Sequence, residues 1–147
     1  MEQFPDWKEL LELFNAHRVE YMVVGAHALA HHGAPRMTGD IDLLVRPTTE
    51  NAQRVLDALK AFGFGSLNLC VDDFARADRV VQLGFPPARI DMMTTLSGVT
   101  WEEAEAGSAA ALCVGVPARF LGRAELIRNK RACGRAQDLA DIERLEG

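Results

Sequence analysis

The sequence predicts an α+β fold, a mixed β-sheet flanked by helices, and three observations predict it. Apolar residues recur at helical spacing near the start, in the middle and at the end of the chain. Short apolar runs such as Tyr21-Met22-Val23-Val24 and Leu43-Leu44-Val45 have the length of buried strands. Strand-like and helix-like stretches also follow one another with no repeat, low-complexity tract or linker between them. The 147 residues therefore read as a single domain spanning 1–147, long enough to bury a substantial core.

Taken in order, residues 6–17 place Trp7, Leu10, Leu11 and Phe14 on one helical face, with Pro5 as opener. Residues 20–25 form a short strand that stops at Gly25 and runs straight into an alanine-rich helix over 26–32. Glycines and a proline make 33–39 a loop, after which the Asp40-Ile41-Asp42 strand begins. Thr48 starts the clearest helix, whose stripe is Ala52, Val55, Leu56, Leu59 and Phe62, and Gly63 ends it. Residues 65–77 carry no decisive pattern. Two strands, 78–85 and 89–94, flank a Pro86-Pro87 turn, since a double proline sits badly within a strand. A short helix at 102–106 and a hairpin from 110–114 and 116–121 follow. Helices at 123–133 and 135–145, broken at Gly134, close the chain.

Composition excludes several classes. No apolar run reaches the roughly 18 residues of a membrane span, and the opening residues lack a basic flank and apolar core, so neither a membrane protein nor a secretory signal is expected. Cys70, Cys113 and Cys133 are odd in number and widely spaced, which suggests reduced thiols of a cytoplasmic protein, buried as small hydrophobes. A net charge of −5 argues against a broad nucleic-acid footprint, although a local basic groove remains compatible with it.

The chemistry centres on Asp40 and Asp42. Alternation along a strand puts both carboxylates on one face and turns Ile41, Leu43 and Val45 the other way. Two carboxylates so close repel unless a cation sits between them or one takes a proton. Hard divalent cations such as Mg²⁺ favour oxygen ligands in this arrangement. Asp91 is a lone acid in the apolar Arg89-Ile90-Asp91-Met92-Met93 strand. If that strand neighbours the first, three carboxylates meet, enough to hold two Mg²⁺ ions over a triphosphate. The strand–Gly25–helix turn supplies free backbone N–H groups suited to phosphate.

These residues resemble the core of the DNA polymerase β-like nucleotidyltransferase superfamily. The likeness runs through Val24-Gly25-Ala26-His27 and then Thr38-Gly39-Asp40-Ile41-Asp42, with a third Asp on a later strand. The tail, Lys130 through Arg135 and Asp138 to Asp141, resembles the closing helix of a small bacterial branch that includes toxin–antitoxin and abortive-infection enzymes. The resemblance implies a nucleotidyltransferase fold and transfer of NMP from an NTP to a hydroxyl on RNA, protein or a small molecule. It implies that Asp40, Asp42 and Asp91 bind metal and do the catalysis. Gly25 and Ala26 would cradle phosphates, and Lys130 would meet the triphosphate. The turn departs from the usual Gly-Gly or Gly-Ser. Ala26 keeps the N–H donor but lacks a hydroxyl and tolerates positive φ poorly, so phosphate binding either rests on backbone donors alone or is weakened.

Other residues have two readings. His27 and His31 have a zinc-compatible spacing but no acid to complete a His-Glu-x-x-His pattern, so they fit positions beside the site, with His27 near phosphate. Arg36 either stabilises phosphate or pairs with an acid. Lys130, Arg135, Asp138 and Asp141 also suit helix salt bridges that anchor the last helix. Two alternative functions stay open: an antibiotic nucleotidyltransferase acting on a lincosamide or aminoglycoside, and a nucleotide-binding, antitoxin-like partner of a toxin that binds without turnover.

Overall fold

A computed structural model describes residues 5–65, 67–85 and 87–147 of the chain, with the side chains of Pro5 and Asp6 left aside. The opening residues 1–4 and Pro86 of the double-proline turn lie outside the described residues. The elements in chain order are α1 (Pro5–Ala16), β1 (Tyr21–Val24), α2 (Gly25–His31), β2 (Asp40–Val45) and α3 (Thr49–Leu59). There follow α4 (Asp72–Ala75), β3 (Val80–Leu83), β4 (Arg89–Met93), α5 (Trp101–Gly107), β5 (Ala109–Cys113), β6 (Val116–Phe120), α6 (Arg123–Cys133) and α7 (Ala136–Glu146). Among the described residues seven α-helices pack with one six-stranded sheet, the α+β class that the sequence predicts.

The sheet runs β3-β4-β2-β1-β6-β5 and is mixed. β1 pairs antiparallel with β2 and parallel with β6, while β2 pairs parallel with β4. The hairpins β3–β4 and β5–β6 form its two edges. The central strands β1 and β2 are the most apolar because both faces are covered: all four residues of β1 are buried, as are Ile41, Leu43, Leu44 and Val45 of β2. Trp7, Leu10, Leu11 and Phe14 of α1 join Ala52, Val55, Ala58 and Leu59 of α3 in the same core. Each large side chain buried there contributes about 1.5–3 kcal/mol against the entropy of ordering it.

Local chemistry sets the element ends. The Thr48 hydroxyl accepts from Asn51 N at 3.1 Å and caps α3. Asn51, fully buried, donates to the carbonyls of Glu20 and Arg46 and accepts from Glu20 N, so it ties the entrance of β1 to the exit of β2. α3 ends earlier than its apolar stripe suggests. The chain widens into a π-turn over Lys60–Phe64, with Gly63 at φ 105°. A reciprocal Thr100–Glu103 capping box starts α5, and Gly134 at φ 68° ends α6. The patternless 65–77 stretch contains only α4. Of the three cysteines, Cys113 alone is buried; Cys70 and Cys133 are exposed because they fall in a loop and at a helix terminus. No described helix is long and apolar enough to cross a membrane.

Candidate active site

Register builds the site. β2 and β4 run parallel with Asp40 opposite Arg89 and Asp42 opposite Asp91. Because side chains two apart share a face, these four groups occupy one patch of the sheet. Single ligand atoms of Asp40, Asp42 and Asp91 all lie within 4.8 Å of one another, a spread compatible with one ion. β1 completes the arrangement: Val24 is the register partner of Asp42, and Gly25 follows immediately. Gly25 has φ 67°, and a Cβ there would meet the Asp42 carboxylate, 2.8 Å from its carbon. Glycine is thus required twice, by its dihedral and by the close passage of the backbone over the acid. Ala26 has no positive φ, so the strain that an alanine could bring to the turn does not arise.

Burial and mutual repulsion set the protonation of the acids. Asp42 is pushed up to about 6, first by desolvation and then by the charges of Asp91 and Asp40, with Arg89 opposing. Asp91 is also raised, chiefly by burial, although Arg89 pulls it back. The two carboxyls lie close enough for each to influence the other's protonation.

Arg89 is the residue that sequence reasoning missed. Its Nη2 donates to Asp40 Oδ2 at 2.8 Å and to Asp91 Oδ2 at 3.2 Å, and its Nε stands 3.2 Å from Asp91 Oδ1. That last contact lacks hydrogen-bond geometry, so Asp91 Oδ1 is a buried oxygen without a hydrogen-bond partner. Arg89 and Asp91 have the same two-residue spacing as Asp40 and Asp42, a signal that was available in the sequence. Three hard carboxylates, one with an unsatisfied oxygen, fit a divalent cation such as Mg²⁺.

The acids open into a cleft of about 410 Å³ that also contains Gly25, Ala26, Arg36, Thr38, Asn129, Lys130 and Arg135. The structure therefore brings the predicted acids, turn, arginine and lysine together. Arg36 and Lys130 are also ion-paired: both bind Asp141, Arg36 at 2.7 Å and Lys130 at 3.0 Å, and Lys130 has Asp138 at 3.6 Å. Arg135 grips Asp138 at 2.7 Å, the anchoring bridge that the spacing suggested. His27 is the exception. It does not line the cleft; its ring stands edge-on to Trp7 at 5.2 Å, and burial lowers its basicity. His31 stacks on Phe120 at 4.5 Å, and among the described residues the three acids are the one cluster suited to a metal.

The order of the elements and the mixed sheet give this chain the same fold as two solved structures. TM1012 of Thermotoga maritima, provisionally described as a nucleotidyltransferase, superposes with a TM-score of 0.63 over 94% of this chain and 88% of its own, at 12% identity. The antibiotic-resistance factor ANT(2'')-Ia superposes with a TM-score of 0.61 over 97% of this chain and 81% of its own, at 14% identity. At such identities the likeness is one of fold. No protein-family model matches the chain, and neither does any curated protein sequence.

Proposed function

We propose that the chain is a Mg²⁺-dependent nucleotidyltransferase that moves NMP from an NTP to a hydroxyl acceptor, with one domain carrying the whole site. The observation that carries this reading is the convergence of Asp40, Asp42 and Asp91 beside the Gly25 turn. The three acids would hold Mg²⁺, which supplies charge neutralisation at the phosphates and makes the acceptor hydroxyl more acidic. Gly25 and Ala26 would present backbone N–H groups to the outer phosphates. Arg36 and Lys130 would offset the negative charge that builds on the departing pyrophosphate. Asp91 would accept the hydroxyl proton as the acceptor oxygen bonds to the α-phosphorus and the bond from that phosphorus to the β-bridging oxygen breaks. Its raised affinity for protons suits it to that task.

The test is transfer of α-labelled phosphate from each of the four NTPs into total RNA, protein and a panel of small hydroxyl compounds. The wild type is expected to label at least one acceptor class, and folded Asp42→Ala and Asp91→Ala variants are expected to label none. Equal labelling by wild type and both variants would remove the assignment. The similarity in fold to an antibiotic-resistance factor makes small antibiotics, aminoglycosides among them, a sensible part of the panel.

One observation favours a second reading, nucleotide binding without turnover: Arg89 already neutralises two of the acids. That reading predicts thermal stabilisation by NTP with no pyrophosphate released in the presence of any acceptor class.

A further inference from the structure

The closing residues Lys130, Asp138 and Asp141 form a network whose hub is Asp141. Its side chain is fully buried, and each oxygen has two nitrogens within 3.0 Å. Oδ1 accepts from Arg36 Nη1 at 2.9 Å and from Gln137 Nε2 at 2.9 Å. Oδ2 accepts from Arg36 Nη1 at 2.7 Å and lies 3.0 Å from Lys130 Nζ. A carboxylate offers about four acceptor sites, so this one is saturated. Burial alone would push its protonation up, but the Lys130 and Gln137 hydrogen bonds and the two nearby cations hold Asp141 below the ordinary carboxylate range.

The two cations come from distant parts of the chain. Arg36 sits in the 33–39 loop that delivers Asp40, and Lys130 sits on α6. Neither is used up by Asp141. Arg36 engages through Nη1 alone, and among the described residues nothing accepts from its Nε or Nη2. Lys130 is 6% exposed and has only the longer Asp138 contact besides. Both line the cleft that holds the three acids. α7 grips the same loop a second time, through Arg144 Nη2 donating to Pro35 O at 2.7 Å.

We infer that Asp141 is the positioning residue for the phosphate end of the site: its carboxylate fixes Arg36 and Lys130 in the cleft with donors to spare for a polyphosphate chain. A buried lysine needs such a partner, because an unpaired charge is not tolerated in the interior. A long arginine side chain held at one nitrogen also loses less freedom when a ligand engages the others. This inference rests on the nucleotidyl-transfer reading, and it assigns a role to Asp141, which the proposed reaction does not itself use.

Calorimetric titration of the full chain with Mn²⁺ alone, and with inorganic triphosphate in Mn²⁺ buffer, separates the two ends of the site. The wild type is expected to bind both. Asp141→Asn, which keeps the shape and removes the charge, is expected to weaken triphosphate about tenfold or more. Mn²⁺ alone should bind the variant within about twofold of wild type, because the acid triad is untouched. Adding Arg36→Gln to Asp141→Asn should cost little further, since Arg36 is then already unplaced. Asp141→Glu keeps the charge but overfills the site by a methylene, and the same loss is expected of it. Parallel weakening of Mn²⁺ and triphosphate, fully additive losses, or failure of both Asp141 variants to fold would each make Asp141 a structural residue and overturn the inference. A wild type that binds both ligands, with variants that bind them equally well, overturns this inference alone. A wild type that binds neither overturns it together with the nucleotidyl-transfer reading.

Discussion

At the scale of single residues, Gly25 and Asp42 define each other. The backbone at Gly25 passes so close to the Asp42 carboxylate that no side chain fits, and its φ of 67° disfavours one anyway. Gly25→Ala should therefore destabilise the protein by roughly 1–3 kcal/mol and displace the acid. The expected outcome is a lower urea midpoint together with loss of Mn²⁺ binding; unchanged values for both would contradict the geometry. The acids also predict a pH dependence. Asp42 has its protonation raised from 3.8 to about 6, so the folded state holds a proton that the unfolded chain releases earlier. The stabilising contribution is complete below the unfolded value and is lost as pH rises through about 6. Urea denaturation of the metal-free protein should show a decline between those limits, at most on the order of 3 kcal/mol, that flattens in Asp42→Asn. Mg²⁺ favours ionised carboxylates, so its stabilising effect should grow over the same interval.

At the scale of elements, the paired strands matter more than any one of them. Asp42 and Asp91 are separated widely in sequence and become neighbours only because β2 and β4 pair parallel in that register. A slip of one residue would turn Asp91 to the opposite face. Asn51 helps to hold the β1–β2 pair from outside the sheet through three backbone contacts to Glu20 and Arg46. Asn51→Ala would leave the part-buried Glu20 N–H without its acceptor, while the carbonyls of Glu20 and Arg46 keep the N–H groups of Arg46 and Thr48, and is expected to cost roughly 1–3 kcal/mol. The check is a thermal melt, with Mn²⁺ affinity as a second reading, since loosening the frame should also weaken the acid cluster. A loss below about 0.5 kcal/mol would mean that water replaces the side chain.

At the scale of the whole molecule, the cleft joins the centre of the sheet to the C-terminal helices. β1 and β2 supply the turn and two acids, β4 supplies the third, α6 supplies Lys130, and the start of α7 supplies Arg135 as its cap and Asp138. A ligand that spans these parts should tie the molecule together as a unit. Mg²⁺ with NTP at about 100 times its dissociation constant is expected to add about 2.7 kcal/mol of stability, with EDTA reversing most of it. A melting temperature indifferent to Mg²⁺ and NTP, alone or together, would argue against a nucleotide site in this cleft. The wholly buried α1 and α3 residues carry no chemistry and serve to hold the sheet that positions it.

The sequence by itself determined the local features. Hydrophobic period, glycine and capping chemistry are short-range properties, so the helices at both ends, the strand before Gly25 and the Asp40/Asp42 face were all legible in it. The shared face of Asp40 and Asp42 follows from strand alternation alone. Only the tertiary structure decided what lies beside that face, because strand order and register depend on packing between distant segments. It placed Asp91 next to Asp42 and set Arg89 between Asp40 and Asp91. It drew Arg36 and Lys130 to one carboxylate and turned His27 away against Trp7. A carboxylate's partner is whichever charge the fold brings within about 4 Å, and no spacing along the chain records that distance.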